Sequence, residues 1–145
     1  MLVQHILTSK PGGVHTISAN ASVSEATQQL SKYKIGALIV SDDEGATIRG
    51  ILSERDIVRE VGARGAAALS DAVMDIMTAK VQSCAMADEA VVVLARMTTG
   101  RFRHMPVQDE SGNLLGVISL GDVVKARLDE VEHENSALSD MIRGY

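Results

Sequence analysis

The sequence predicts an α+β protein in which two similar β-α-β-β-α units pack about a pseudo-twofold axis, followed by a C-terminal helical tail. The first observation is an internal repeat, because "GILSERDIVRE" at residues 50–60 returns as "GVISLGDVVKA" at residues 116–126. The second is that apolar runs, turns and amphipathic stretches follow the same order in both halves. The third is composition, since 46% of the 145 residues are hydrophobic but only 2% are aromatic. We therefore expect two units, each too small to bury much apolar surface alone, to share one aliphatic core.

The first half of the first unit contains a helix and a strand. "SVSEATQQLSKY" at residues 22–33 begins with a capping serine and places Val23, Ala26 and Leu30 at helical spacing, which predicts a short amphipathic helix. "GALIV" at residues 36–40 is a continuous apolar run, which is typical of a buried strand.

The second half of this unit contains a strand and a second helix. An acidic turn precedes "IRGILS" at residues 48–53, which predicts the partner strand of a hairpin. "ERDIVREV" then predicts a helix with Ile57, Val58 and Val61 on its apolar side.

The second copy repeats this order and ends in the helix that begins near Gly121. The predicted boundaries are residues 1–61 for the first unit, 62–72 for a linker, 73–127 for the second unit and 128–145 for the tail.

A serine and an aspartate occur at the same spacing in both copies, where a helix is expected to begin directly after a buried strand. They are Ser53 and Asp56 in the first unit and Ser119 and Asp122 in the second. Free N–H groups and the positive end of the helix dipole favour a phosphate at such a position. A hydroxyl can donate to a phosphate oxygen, and a carboxylate can accept two hydrogen bonds from the diol of a ribose. The pattern therefore indicates nucleotide binding, with a pair of helix caps as the alternative interpretation.

These motifs, together with "RHMPV" at residues 103–107, resemble a tandem pair of cystathionine-β-synthase (CBS) domains, a Bateman module. The similarity spans about residues 3–126 and extends in particular to small stand-alone bacterial CBS-domain proteins. The resemblance implies binding of adenine nucleotides (AMP, ADP or ATP, and in some members NAD or S-adenosylmethionine) in two clefts between the units. It also implies an energy or metabolite sensor that forms disc-shaped homodimers and has no catalytic activity or catalytic cofactor.

The resemblance further implies that residues of both units contribute to each cleft. In both clefts the aspartate would hold ribose and the strand edges would flank adenine, while Arg103 and His104 would reach phosphate. The copies differ here, because Gly36 and Ala37 stand where the second copy has this cationic pair, so the clefts should favour different ligands. The first cleft would contain Ser53, Arg55, Asp56, Thr78, Gln82, Phe102, Arg103 and His104, and the second would contain Thr8, His15, Ile35, Gly36, Ser119 and Asp122.

Composition argues against several other partners and locations. The net charge is −5, so nucleic acid is not an expected partner, and a small phosphate ligand explains the local cluster "RFRH" at residues 101–104. No apolar run approaches eighteen residues and no signal peptide is recognisable, so we expect no membrane partner and a cytoplasmic location. A single cysteine forbids an internal disulfide and suits a reducing compartment.

Catalytic and metal chemistry are not expected either. Cys84 could act as a nucleophile with His104 as base, but no third group orients them, and alignment of Cys84 with Ile17 favours a packed core position. The four histidines lack metal-ligand spacing. "KPGG" at residues 10–13 is not a P-loop, and no G-x-G-x-x-G follows a strand, so bound NAD would not use a Rossmann turn.

The tail contains apolar residues at 3-4-3-4 spacing with one polar residue in a core position. The positions are Leu128, Val131, Asn135, Leu138 and Ile142. This pattern is typical of a short parallel two-stranded seam, and a helix folded back on its own domain is the alternative.

Two functions follow from the sequence. The first is a non-enzymatic adenine-nucleotide sensor that acts as a homodimer on an unknown protein target in trans. The second is a protein-interaction or dimerisation module whose clefts are vestigial and whose tail is the working part.

Overall fold

The computed structural model describes residues 1–10 and 13–144. Pro11 and Gly12, which belong to the predicted first unit and to the "KPGG" segment, and Tyr145 of the predicted tail lie outside the described residues. The helices are α1 (Val3–Ser9), α2 (Val23–Tyr33), α3 (Glu54–Arg64), α4 (Val73–Ile76), α5 (Ala90–Gly100) and α6 (Leu120–Ile142), with a 3-10 helix at Gly65–Ser70. The strands are β1 (Thr16–Ile17), β2 (Ala37–Val40), β3 (Gly50–Ser53), β4 (His104–Gln108) and β5 (Leu114–Ser119).

The strands form one small sheet in each unit. In the first unit β2 is the central strand, parallel to β1 and antiparallel to β3, with Val40 opposite Gly50. In the second unit β4 and β5 are antiparallel. The position equivalent to β1 there is a single parallel bridge between Cys84 and Val107. The predicted β-α-β-β-α order is therefore confirmed, with the first strand of the second unit reduced to this bridge and with a leading helix before each unit, α1 or α4, that was not predicted.

Helix α2 matches the predicted amphipathic helix. The Ser22 hydroxyl caps it by accepting a hydrogen bond from the backbone N–H of Glu25 at 3.0 Å. Val23, Ala26 and Leu30 are buried against the first sheet's core. The local capping and periodicity signals were therefore sufficient to predict this element.

The predicted apolar side of α3 is partly wrong. Ile57 is buried and Val61 packs against the core, but Val58 is 69% exposed. Residues 57 and 61 lie one turn apart and share a helix face, whereas residue 58 is rotated about 100° away from the first of them. Val58 consequently faces outward.

The buried apolar residues form two clusters, where the sequence predicted one shared core. Val3 and Ile6 of α1 pack into the cluster of the second unit, together with residues of α5, β4, β5 and α6. Val73 and Ile76 of α4 pack into the cluster of the first unit. The leading helix of each unit, α1 or α4, therefore packs against the opposite unit. This exchange joins the two halves and places the ends of α1 and α4 beside the opposite unit.

The predicted linker at residues 62–72 contains regular structure. Helix α3 continues to Arg64, and the 3-10 helix that follows buries Ala68 completely. Arg64 forms ion pairs with Glu60 and Asp71 across this connection. The segment therefore packs against the first unit while it leads the chain to α4.

The tail continues α6 without a break. Every described residue from 131 to 144 is exposed, and Leu138 and Ile142 are 57% and 85% exposed. The alternative in which the tail folds back on its own domain is therefore wrong. Within residues 1–10 and 13–144, none of the helices has the length and apolar character needed to cross a membrane.

Candidate functional site

Both serine–aspartate pairs lie at the start of a helix that leaves a strand directly. In the first unit the Ser53 hydroxyl accepts a hydrogen bond from Asp56 N at 3.2 Å, and Asp56 Oδ2 accepts one from Ser53 N at 3.0 Å. In the second unit Ser119 and Asp122 make the same reciprocal bonds at 3.1 and 2.9 Å. The capping interpretation is therefore confirmed in both copies. Capping does not exclude ligand binding, because a carboxylate oxygen can accept more than one hydrogen bond.

The first cleft has a volume of about 610 Å³ and lies between the start of α3 and the strand edge that precedes β4. All eight residues expected there line it, namely Ser53, Arg55, Asp56, Thr78, Gln82, Phe102, Arg103 and His104. Thr78 is close to the first unit because its backbone pairs with that of Ile51 at 2.9 Å in both directions. The packing of α4 against the first unit therefore brings Thr78 of the second unit to this cleft.

Cations dominate the lining of the first cleft. Arg59 donates to Asp56 Oδ1 at 3.0 Å, so one guanidinium is already paired with the carboxylate. The other cations lining the cleft form no ion pair with any described residue; they are Arg55, Lys80, Arg101 and Arg103. Their charge can be neutralised by an anionic ligand, since guanidinium and ammonium groups bind phosphate well.

The aromatic ring of Phe102 lies over the backbone of Gly100. A Cβ atom on Gly100 would stand 2.3 Å from the ring, so the glycine is what allows the ring to occupy this position. Gln82, on the same wall, accepts hydrogen bonds from Arg96 at 3.2 and 3.3 Å. The cleft thus contains an aromatic ring and several cations, groups suited to bind a base and a phosphate.

The second cleft has a volume of about 550 Å³ and lies between the start of α6 and the strand edge that precedes β2. Five of the six expected residues line it: His15, Ile35, Gly36, Ser119 and Asp122. Thr8 does not. Its hydroxyl donates to the carbonyl of Gln4 at 2.7 Å within α1, so its polar group is used inside the helix.

An aromatic pair borders the second cleft. The rings of His15 and Tyr33 are stacked, with centroids 3.9 Å apart and an interplanar angle of 20°. The ammonium of Lys32 lies 5.3 Å from the Tyr33 ring centroid. Tyr33 lies only two residues before Ile35, but sequence analysis did not identify it because it ends the amphipathic helix α2 and belongs to no motif.

Lys10 is a second residue of this cleft that sequence analysis missed. Its ammonium lies 2.8 Å from Asp122 Oδ2 and 2.9 Å from the carbonyl oxygen of Val117. Burial tends to raise the pKa of Asp122, but the hydrogen bonds from Lys10 and Ser119 N outweigh it and hold that pKa below its ordinary value. A signal was available, because Thr8-Ser9-Lys10 and Thr78-Ala79-Lys80 are a repeated Thr-x-Lys pattern at the end of the leading helices.

His104 lines both clefts, although the sequence placed it in the first alone. It begins β4 at the boundary between the two units, half-buried. Burial lowers the pKa of its imidazole, and the nearby Lys10 ammonium lowers it further, while Glu54 and Asp122 oppose this shift. The side chain can therefore act as a neutral hydrogen-bonding group shared by the two sites.

Cys84 lies in the core of the second unit, as expected from its alignment with Ile17. It is 6% exposed, and burial raises its thiol pKa to about 11. A thiol with such a pKa is a weak nucleophile at neutral pH. Within the described part of the chain, no group of three or more His, Cys, Asp or Glu side chains is placed to hold a metal ion.

Comparison with known proteins agrees with this geometry. A family model described as CBS domain matches residues 3–63 and 73–129. The mitochondrial CBS domain-containing protein CBSX3 of Arabidopsis thaliana is 34% identical over 126 residues, which are 85% of this chain and 61% of that protein. The chain thus spans less than two thirds of this relative's length.

Solved structures show the same fold. A CBS-domain containing protein from Agrobacterium tumefaciens is 42% identical with a TM-score of 0.82, covering 88% of this chain and 99% of that one. The CBS domain pair of protein MJ0100, in complex with 5'-methylthioadenosine and S-adenosyl-L-methionine, is 26% identical with a TM-score of 0.77, covering 90% and 98%. The family model matches both repeats, and the solved structures share their fold. The chain therefore belongs to the CBS-domain family and contains two CBS domains in tandem.

Proposed function

We propose that this protein is a non-catalytic sensor that binds adenine nucleotides in its two clefts and responds through the conformation of a homodimer. The observation that carries the proposal is the first cleft, which a serine–aspartate helix start lines together with Phe102 and four cations that form no ion pair with any described residue. Both cleft volumes, about 610 and 550 Å³, lie in the range of roughly 300–1,000 Å³ that is usual for small-molecule sites.

The roles of the residues follow from their chemistry. Asp56 and Asp122 accept hydrogen bonds from the ribose diol, and Ser53 and Ser119 donate to phosphate at the helix starts. Phe102 and the edge at Ile35 and Gly36 flank the adenine in the first and second clefts, respectively. Thr78, Gln82 and His15 supply the remaining polar contacts, and Arg55, Arg103 and His104 reach the phosphate.

The two clefts differ in charge, which supports different ligands. The first contains five cationic side chains (Arg55, Arg59, Lys80, Arg101 and Arg103) and two carboxylates (Glu54 and Asp56). The second contains two cationic side chains (Lys10 and Lys34) and one carboxylate (Asp122). We assign ligands with two or three phosphate groups, ADP, ATP or NAD, to the first cleft and ligands with one, such as AMP, to the second. The ligands of the MJ0100 domain pair both contain adenosine, which supports this ligand class.

The exposed seam on α6 supports the homodimer. Leu128, Val131, Leu138 and Ile142 are 58%, 40%, 57% and 85% exposed on a helix that projects beyond the domain. Apolar residues at heptad spacing gain stability when a second helix covers them, and Asn135 within the seam favours a parallel pair. The same observation also favours the alternative function, an interaction module with vestigial clefts.

Mass spectrometry of the small molecules that copurify with the protein, followed by thermal unfolding with millimolar AMP, ATP or NAD, tests the proposal. We expect an adenine compound in the extract and a higher melting temperature with at least one of them, because a ligand that binds only the folded state stabilises it. Absence of any copurifying adenine compound and unchanged melting with all three would favour the interaction module. Turnover of a bound nucleotide would contradict the non-catalytic assignment.

A further inference from the structure

Lys10 and Lys80 occupy equivalent positions in the two units. Each follows its leading helix in a Thr-x-Lys pattern, and each lines a cleft whose serine–aspartate helix start belongs to the opposite unit. The exchange of α1 and α4 places them there. Each cleft therefore contains one lysine that reaches it from the other unit.

The two lysines differ in their partners. Lys10 is paired with Asp122 at 2.8 Å, at a position where both side chains are only 36% and 26% exposed. Asp56 is instead paired with Arg59 of its own helix, and Lys80 forms no ion pair with any described residue. The inter-unit lysine thus holds the proposed ribose carboxylate in the second cleft alone.

This pairing affects how a ribose can approach. Asp122 Oδ2 already accepts hydrogen bonds from Ser119 N and from Lys10. A diol that binds both carboxylate oxygens must displace the ammonium, because the number of acceptor sites on one oxygen is limited. The displaced ammonium, at 36% exposure, remains in contact with water but loses an ion pair, which an anionic group on the ligand would restore.

We infer that Lys10 is a specificity-determining residue of the second cleft, which moves from Asp122 to the phosphate of the ligand and so selects anionic adenine nucleotides over neutral nucleosides. The inference rests on the proposed function. A neutral nucleoside displaces Lys10 without offering it a partner, whereas a nucleotide supplies a phosphate oxygen. Lys10 therefore opposes the binding of a neutral nucleoside and assists the binding of a nucleotide.

The reference protein for the test carries Asp56→Asn, which weakens the first cleft, and the variant carries Lys10→Ala in addition. Calorimetric titration of both proteins with adenosine and with AMP tests the inference. We expect Lys10→Ala to tighten adenosine binding about two- to fivefold, the range of a partly exposed ion pair. We expect it to weaken AMP binding about tenfold or more, the range of a lost charged hydrogen bond. The preference for AMP over adenosine should fall accordingly.

Two further variants serve as controls. Lys10→Arg retains a cation and should keep the preference for AMP. Lys125→Ala removes the same charge from a residue of α6 that lines neither cleft, and it should leave both affinities unchanged. Carboxyl NMR adds a readout without ligand, because the Asp122 pKa should rise when the ammonium is removed.

The outcomes separate the two proposals. If the reference protein binds AMP in the second cleft but Lys10→Ala changes adenosine and AMP equally or not at all, the role of Lys10 is wrong and the proposed function stands. If the reference protein binds neither compound, the role of Lys10 and the assignment of an adenine nucleotide to the second cleft are both overturned, and the first cleft is tested separately by titrating the parent protein with ATP and NAD.

Discussion

Nε2 of His104 lies 3.1 Å from the position that a Cβ atom would occupy on Gly36. Gly36 directly precedes β2 of the first unit and His104 begins β4 of the second, so the starts of these two strands are in contact at a residue that lines both clefts. The absence of a side chain at position 36 leaves room for the imidazole. This contact connects the two sites through one residue.

We predict that Gly36→Ala destabilises the protein by about 1 kcal/mol, at the low end of the cost of overpacking, because the imidazole must shift. The melting temperature should fall by about 3 °C in a thermal unfolding scan. Gly62→Ala is the matched control, since a Cβ on Gly62 in α3 meets nothing within 4 Å. It should raise stability by about 0.5 kcal/mol or more, as alanine favours a helix over glycine. Equal effects of both substitutions would contradict the close packing at Gly36.

Asp56→Ala and Asp122→Ala should each weaken nucleotide binding at their own cleft by about 1.5–3 kcal/mol, through loss of the hydrogen bonds to the ribose. Both aspartates also belong to helix caps, so the variants should unfold at a lower temperature as well. Ser22→Ala separates the two effects, because Ser22 caps α2 and lines neither cleft. It should lower the melting temperature and leave the affinities unchanged. Calorimetry in which both aspartate variants bind AMP and NAD as the parent does would overturn the site assignment.

Arg103→Ala should weaken ligands in proportion to their phosphate charge, with ATP affected more than AMP and adenosine least. Added salt should narrow the difference between parent and variant, because mobile ions screen the same attraction. Titration of the three compounds at low and high salt measures this. Arg49→Ala is the control, since Arg49 pairs with Asp42 and lines neither cleft. An equal loss for all three ligands would mean that Arg103 supports the cleft structurally.

His104 should make stability depend on pH. Burial and Lys10 lower its pKa in the folded state below the ordinary histidine value of 6.5. As the pH falls below that value, the unfolded chain binds a proton that the folded protein does not, so stability decreases until the folded pKa is reached. His104→Gln should reduce this decrease in urea unfolding between pH 7.5 and 5.5. His133→Gln, on the exposed tail, should leave the decrease as in the parent; a decrease unaffected by His104→Gln would contradict the prediction.

Deletion of residues 132–145 should weaken self-association while nucleotide binding persists, because both clefts lie outside the tail. The cut follows Val131, so it removes Asn135, Leu138 and Ile142 of the seam while the ion pairs of Glu130 with the Met1 amine and Arg127 are retained. In the full chain, Asn135→Ile should strengthen association and loosen its specificity for the dimer. Sedimentation over a hundredfold range of concentration measures both. If the truncated chain dimerises as tightly as the parent, the seam is not the dimer contact.

The parts of this protein that depend on short-range patterns could be predicted from its amino-acid sequence. These parts are the repeat, the order of strands and helices, and the cap at Ser22. They are predictable because the periodicity and capping signals of a helix or strand lie within about a dozen consecutive residues. The serine–aspartate starts of α3 and α6 are local as well, and they correctly located both clefts. The family likeness extended the expectation to residues of the opposite unit, and 13 of the 14 residues expected in the two clefts together line one.

The contacts between groups that lie far apart in the chain depend on how the elements pack. Lys10 and Asp122 are 112 positions apart, and their contact depends on α1 packing into the second unit, which no local pattern records. The exposure of Val58 and of the seam on α6 likewise depends on what the surrounding elements cover. Periodicity predicts that a face is apolar, but which element buries that face depends on long-range packing. The contact between Gly36 and His104 is also long-range, since it needs both a residue without a side chain and an imidazole from the other half of the chain.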